Sequence, residues 1–180
     1  WAEMTTDNIK RIIVMSVNGS VLSAPRVIEP ITGGETQISG NFNLKEAKVF
    51  FAEISKKYGK HPNIIYEVFN EPDYESWWEV KSYAEEVIRE IRQNDPNNII
   101  LVGCPHWDQD LDLPASDPIM DYNNIMYTMH FYAATHGKEL RDRTDAAIKS
   151  GLPVFVSESA GMEASGDGPL NYQAWQEYID

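Results

Sequence analysis

The sequence predicts an α/β fold in which parallel strands are covered by helices. Three observations carry this. Apolar runs at 63–69, 98–103, 124–131 and 152–157 do not alternate with polar residues, as suits strands covered on both faces. Between them lie stretches of helix length with apolar residues three and four apart. The order strand, helix, strand, helix is that of βαβ units, whose crossovers make neighbouring strands parallel.

The elements follow in chain order. Arg11 to Val17 is apolar enough for one strand, and Ser16 to Gly40, rich in Ser, Gly, Thr and Pro, reads as a loop or a poorly specified strand. Asn43 with Glu46 three residues later forms a capping box, and Leu44, Ala47, Phe50, Phe51, Ile54 and Tyr58 continue a helix to Gly59. Asn63 to Phe69 is a strand held between His61-Pro62 and Glu71-Pro72. Ser76 and Glu79 form a second capping box, opening a helix through Val80, Ala84, Val87, Ile88 and Ile91 to Asp95-Pro96. Trp77 and Trp78 at its start read as packing residues.

Asn98 to Gly103 is a continuous apolar strand, and Pro105 to Asp121 a polar loop with room for one helical turn. Asn124 to Phe131 is the third strand. A helix from Lys138 to Ser150 ends at Gly151, Leu152 to Ser157 reads as a buried fourth strand, and a last helix starts at Tyr172.

Composition narrows the partners. The 180 residues suit a single catalytic-type domain, 1–180, in which 1–40 is a distinct N-terminal segment. A net charge of −13 repels phosphate backbones and anionic bilayers, so neither nucleic acid nor a membrane is an expected partner. A neutral sugar is indifferent to that field. No run approaches the ~20 apolar residues of a membrane helix. The single cysteine, Cys104, excludes an internal disulfide and a multi-cysteine metal site, and its apolar setting reads as a core thiol. The N-terminus lacks the basic and apolar regions of a signal peptide but does not begin with Met, so it says little about compartment.

In parallel α/β folds the active site gathers where strands end. Here those ends read Asn70-Glu71, Cys104-Pro105-His106-Trp107, His130-Phe131-Tyr132 and Glu158. A carboxylate closing a buried strand is costly unless it is paired or chemically employed. Pro72 ends its strand and fixes the turn that carries Glu71. His130 and Tyr132, two apart, share one face.

Asn63-Ile-Ile-Tyr-Glu-Val-Phe-Asn-Glu-Pro72 resembles the signature of glycoside hydrolase family 5, the endoglucanase family of (β/α)8 TIM barrels. The resemblance continues through Asn98 to Asp110, Met126 to Gly137, Leu152 to Glu158 and Ala164 to Gly168, so that 42–175 read as family-like βα units. It implies a TIM-barrel type fold, incomplete at this length, and a retaining endo-1,4-β-glucanase acting by double displacement. Glu71 would be the general acid/base and Glu158 the nucleophile. Asn70 would bind the sugar 2-OH, Trp107 would stack on a sugar ring, and His130 and Tyr132 would orient the carboxylates. The partner would be a β-glucan oligo- or polysaccharide, with no cofactor and no metal, in a secreted protein.

Two departures are visible. Residues 1–40 lack counterparts of the Arg and His that the family's early strands supply, and Ser159-Ala160 stands where members commonly carry Trp-Gly. They support an alternative, an inactive barrel fragment or remnant that binds glucan without cleaving it. An open half-barrel also predicts self-association into a homo-oligomer that covers its exposed edges. A third reading, a metal-dependent hydrolase, would need His106, Asp108 and Asp110 to converge on one ion.

Overall fold

The computed structural model describes residues 2–17, 20–24, 26–31 and 43–179. The chain divides into two compact units, 1–53 and 54–180.

The N-terminal unit opens with helix α1 (Ala2–Asp7), followed by β1 (Met15–Val17) and β2 (Ser20–Ser23) paired antiparallel. The predicted strand over 11–17 is therefore shorter, and its hairpin partner is a short strand inside the segment that reads as a loop or a poorly specified strand. Beyond the hairpin the two segments stay in register. Lys10 N–H donates to Val27 O at 2.8 Å and Val27 N–H to Arg11 O at 2.9 Å. Thr5, fully buried, accepts from Ile31 N–H at 2.8 Å. The remainder of the expected loop, 32–40, lies outside the described residues.

Helix α2 (Leu44–Tyr58) starts on the predicted capping box: Glu46 N–H donates to Asn43 Oδ1, and Asn43 N–H to Glu46 Oε2, both at 3.1 Å. Its last turn, from Ile54, opens the second unit. There β3 (Ile65–Glu67), β4 (Ile99–Val102), β5 (Ile125–Tyr132) and β6 (Val154–Ala160) form one parallel sheet in sequence order. These four strands are a half-barrel, half the number that closes a (β/α)8 barrel. Helices α3 (Trp77–Arg92), α4 (Pro105–Asp108), α5 (Asp112–Ser116), α6 (Lys138–Lys149) and α7 (Tyr172–Ile179) complete the unit.

Helix α3 shows why the units form. Ser76 and Glu79 make their reciprocal cap, and Trp77, Val80, Ala84, Val87, Ile88 and Ile91 make one fully turned-in stripe. Each buried Val or Ile contributes roughly 1.5–3 kcal/mol relative to exposure. Ile100, Val102, Tyr127, Met129 and Phe131 supply the buried core of β4 and β5. The αβ turn after α3 is closed by fully buried Asp95, which accepts from Tyr66 O–H at 2.7 Å and Asn98 N–H at 3.0 Å.

One sequence expectation is corrected. The fourth strand is not buried: β6 is half-exposed along its length, with Val156 43% accessible. It is one of the two outer strands of the described sheet, and apolar composition alone does not distinguish an edge from a centre. In the 105–121 segment α4 is a left-handed arc rather than a regular helix, and α5 is the one helical turn for which the sequence leaves room.

Candidate active site

The four strands present their C-terminal ends together, and the chain turns sharply at each. After β3, Val68 N–H still bonds to Leu101 O at 3.1 Å, then Glu71 takes a left-handed φ of 48°. After β4, Gly103 lies so close to the β3 turn that a Cβ would sit 2.4 Å from Phe69 O and 2.9 Å from Pro72 Cδ. Only glycine fits there. Three consecutive left-handed residues follow, His106, Trp107 and Asp108, with φ of 60°, 54° and 60°. This arc drives Asp108 into the interior, fully buried, and leaves Trp107 44% exposed at the rim. Trp107 N–H bonds to Pro72 O at 3.0 Å, tying the two turns together.

His130 is the centre of the cluster. Its ring, 2% accessible, lies with Nδ1 2.9 Å from Glu71 Oε1 and Nε2 2.8 Å from Ser157 Oγ. Ser157 donates its own proton to Glu67 Oε1 at 3.0 Å, so its oxygen accepts from His130. Both ring nitrogens then donate, as in an imidazolium. Burial alone would push the His130 pKa down, but the carboxylates of Glu67, Glu71, Asp108 and Glu158 outweigh it and raise the group to about 9. Asp108 is pushed up to about 6 by burial, partly offset by His130 and by the N–H groups of Cys104 and Glu71.

Tyr132 O–H donates to Glu158 Oε1 at 2.5 Å, and this bond to a carboxylate pushes the phenol up to about 12. Donor atoms of Glu71, His130 and Glu158 all lie within 4.8 Å of one another, and so do those of Glu67, Asp108 and His130. A bulge explains how β6 reaches β5 twice. Thr128 faces Phe155 but His130 faces Glu158, so β6 carries one extra residue there. In a regular strand Ser157 and Glu158 would point to opposite faces; across the bulge one meets His130 and the other Tyr132.

Of the six residues singled out by sequence, Glu71, Glu158, His130 and Tyr132 meet in this cluster. Asn70 and Trp107 stand exposed at its rim, the Trp107 ring tilted against His106. The sequence reading missed Glu67 and Ser157, although a charge inside an apolar run was the available signal for Glu67. It also missed His136, whose Nδ1 accepts from Tyr132 N–H at 2.8 Å. His106, Asp108 and Asp110 do not converge as a metal site requires. Asp108 turns inward, while Asp110 pairs with Arg143 and lies 3.5 Å from His106.

The profile described as Cellulase (glycosyl hydrolase family 5) matches residues 30–180. The chain belongs to glycoside hydrolase family 5. Among family relatives, it is 47% identical over 146 residues to Endoglucanase A of Evansella cellulosilytica, covering 78% of this chain and 30% of that protein. With Endoglucanase Z of Dickeya dadantii it shares 45% identity over 145 residues, 78% of this chain and 34% of that one. The solved cellulase Cel5C_n superposes with a TM-score of 0.74 at 44% identity, over 78% of this chain and 44% of the other. The catalytic domain of Thermobifida fusca endoglucanase Cel5A gives 0.72 at 42% identity, over 77% and 47%. The chain thus spans about a third of the length of these curated relatives and under half of the solved ones. Residues 1–54 match a second profile, described as SecDF, P1 head subdomain. The two matches overlap over residues 30–54, and residues 1–29 lie outside the family 5 match.

Proposed function

We propose that this chain carries the catalytic pair of a retaining endo-β-1,4-glucanase. One observation carries the reading: carboxylate oxygens of Glu71 and Glu158 approach within 4.8 Å across the strand ends. Retaining glycosidases need carboxyl groups roughly 5–5.5 Å apart, close enough for one to attack carbon while the other handles the proton; inverting enzymes hold theirs further apart. The surrounding bonds support distinct roles. Tyr132 holds one oxygen of Glu158, leaving the other to attack the anomeric carbon. His130 orients Glu71, which protonates the leaving oxygen and then takes a proton from the water that releases the sugar. Asn70 at the rim serves the 2-OH and Trp107 a sugar face. A Thermobifida fusca Cel5A variant 41% identical to this chain is in complex with cellotetraose, which supports a β-1,4-glucan substrate. A polymeric glucan is too large to cross a membrane unaided, which supports a site of action outside the cell.

The measurement is release of reducing ends from carboxymethylcellulose. Activity in the wild type, with loss of about three orders of magnitude or more in Glu71→Gln and in Glu158→Gln, is the expected outcome. A second reading, glucan binding without cleavage, is favoured by the missing Arg and His counterparts in residues 1–40 and by Ser159-Ala160 after Glu158. It predicts a wild type as inert as both variants yet retained on a glucan affinity gel.

A further inference from the structure

We propose that Asp108 is a positioning residue that braces the backbone turn of Glu71 and thereby sets the aim of its carboxylate. The inference rests on the reading of Glu71 as acid/base. A left-handed conformation is strained for a non-glycine residue and persists only where neighbours over-determine it. At Glu71 the neighbour is Asp108. Its Oδ2 accepts from Glu71 N–H at 3.1 Å, and its Oδ1 from Cys104 N–H at 2.6 Å. One carboxylate therefore spans the turns that end β3 and β4.

The geometry is too costly to be incidental. Asp108 is fully buried, and an isolated carboxylate in such a place is strongly disfavoured. The chain bends through three left-handed residues to deliver it, and Gly103 leaves room where a Cβ would sit 2.8 Å from its Oδ1. Asp108 Oδ2 also lies 3.5 Å from His130 Nε2, so it faces the charge of the ring that bonds Glu71 Oε1. Glu71 is thus fixed from its amide and from its carboxylate. A misplacement of about 1 Å in a reacting group costs roughly 100-fold.

The test is Asp108→Asn, which keeps the size but turns one acceptor into a donor facing an N–H. On carboxymethylcellulose kcat should fall roughly 100-fold with KM little changed. With 2,4-dinitrophenyl β-cellobioside and azide, the leaving group needs no acid and the nucleophile no base. Most of the deficit should then disappear, as it should for Glu71→Ala. Amide exchange gives a readout that needs no turnover. Exchange at Glu71 should accelerate by about tenfold or more, while Val68 and Ile100 in the adjoining ladder stay as in the wild type. An unchanged Glu71 amide, or equal loss on both substrates, would overturn the proposal. A wild type that turns over neither substrate would sink the hydrolase reading, and the exchange experiment would still decide the brace.

Discussion

Four carboxylates lie around the His130 ring, and their sum decides its charge. The group sits at about 9 in the folded chain against an ordinary 6.5. Between those values the native state holds a proton that the unfolded chain has released. Its stabilisation is therefore complete below pH 6.5 and is lost as pH rises through about 9, an effect on the order of 3 kcal/mol. Asp108, raised to about 6 from 3.8, acts with the same sign at lower pH: stability falls as pH rises through that window. Urea midpoints should decline from pH 6.5 to 9, and His130→Gln should flatten the decline; a flat wild-type profile would contradict the imidazolium. At this scale the sequence was legible where backbone is regular. The i, i+2 spacing of His130 and Tyr132 on β5 placed both on one face. It was illegible at Asp108, which reaches the site only because three residues in a row are left-handed, a conformation no residue pattern announces for His-Trp-Asp.

Helices were read from local chemistry, and local chemistry made them. Both capping boxes form as the sequence spells them, and α3 begins and ends within a residue or two of its expected limits. Trp77 and Trp78 show the limit of the same reasoning, since both were expected to pack. Trp77 is buried, donates Nε1–H to Asp117 O at 3.0 Å and meets Tyr127 edge-on, whereas Trp78 is 73% exposed. Trp77→Ala should cost about 3 kcal/mol or more and Trp78→Ala about 0.5 kcal/mol or less, measured by urea unfolding. A comparable loss at both positions would mean that α3 is seated differently. Strand type was legible from unbroken apolar runs, but strand environment was not. β6 reads like β4 and yet is an outer strand, because neighbours, not composition, decide which face is covered. The bulge that lets Ser157 and Glu158 serve one site is likewise a property of pairing with β5.

At the scale of the molecule, the family 5 pattern spans residues 30–180 and a second pattern residues 1–54, and among the described residues the site lies on the parallel sheet. Its outer strands expose Ile65 on β3 and Val156 on β6. We expect the purified chain to self-associate through these edges, and Val156→Lys to shift it toward monomer in light scattering. A monodisperse monomer at high concentration would refute this. The same sheet has a consequence for stereochemistry. Glu71 hangs from the first strand of the row and Glu158 from the last, three strand spacings apart, or roughly 14 Å if the sheet were flat. Their oxygens nevertheless come within 4.8 Å. The sheet works as a calliper, with one carboxylate on each jaw and its curl setting the gap. Uncurl it by a few ångströms and the identical two glutamates would stand at the roughly 6.5–9.5 Å that admits a water between them. Under the proposed glucanase chemistry, whether the released sugar would keep or invert its anomeric configuration is then set by curvature as much as by which residues are present.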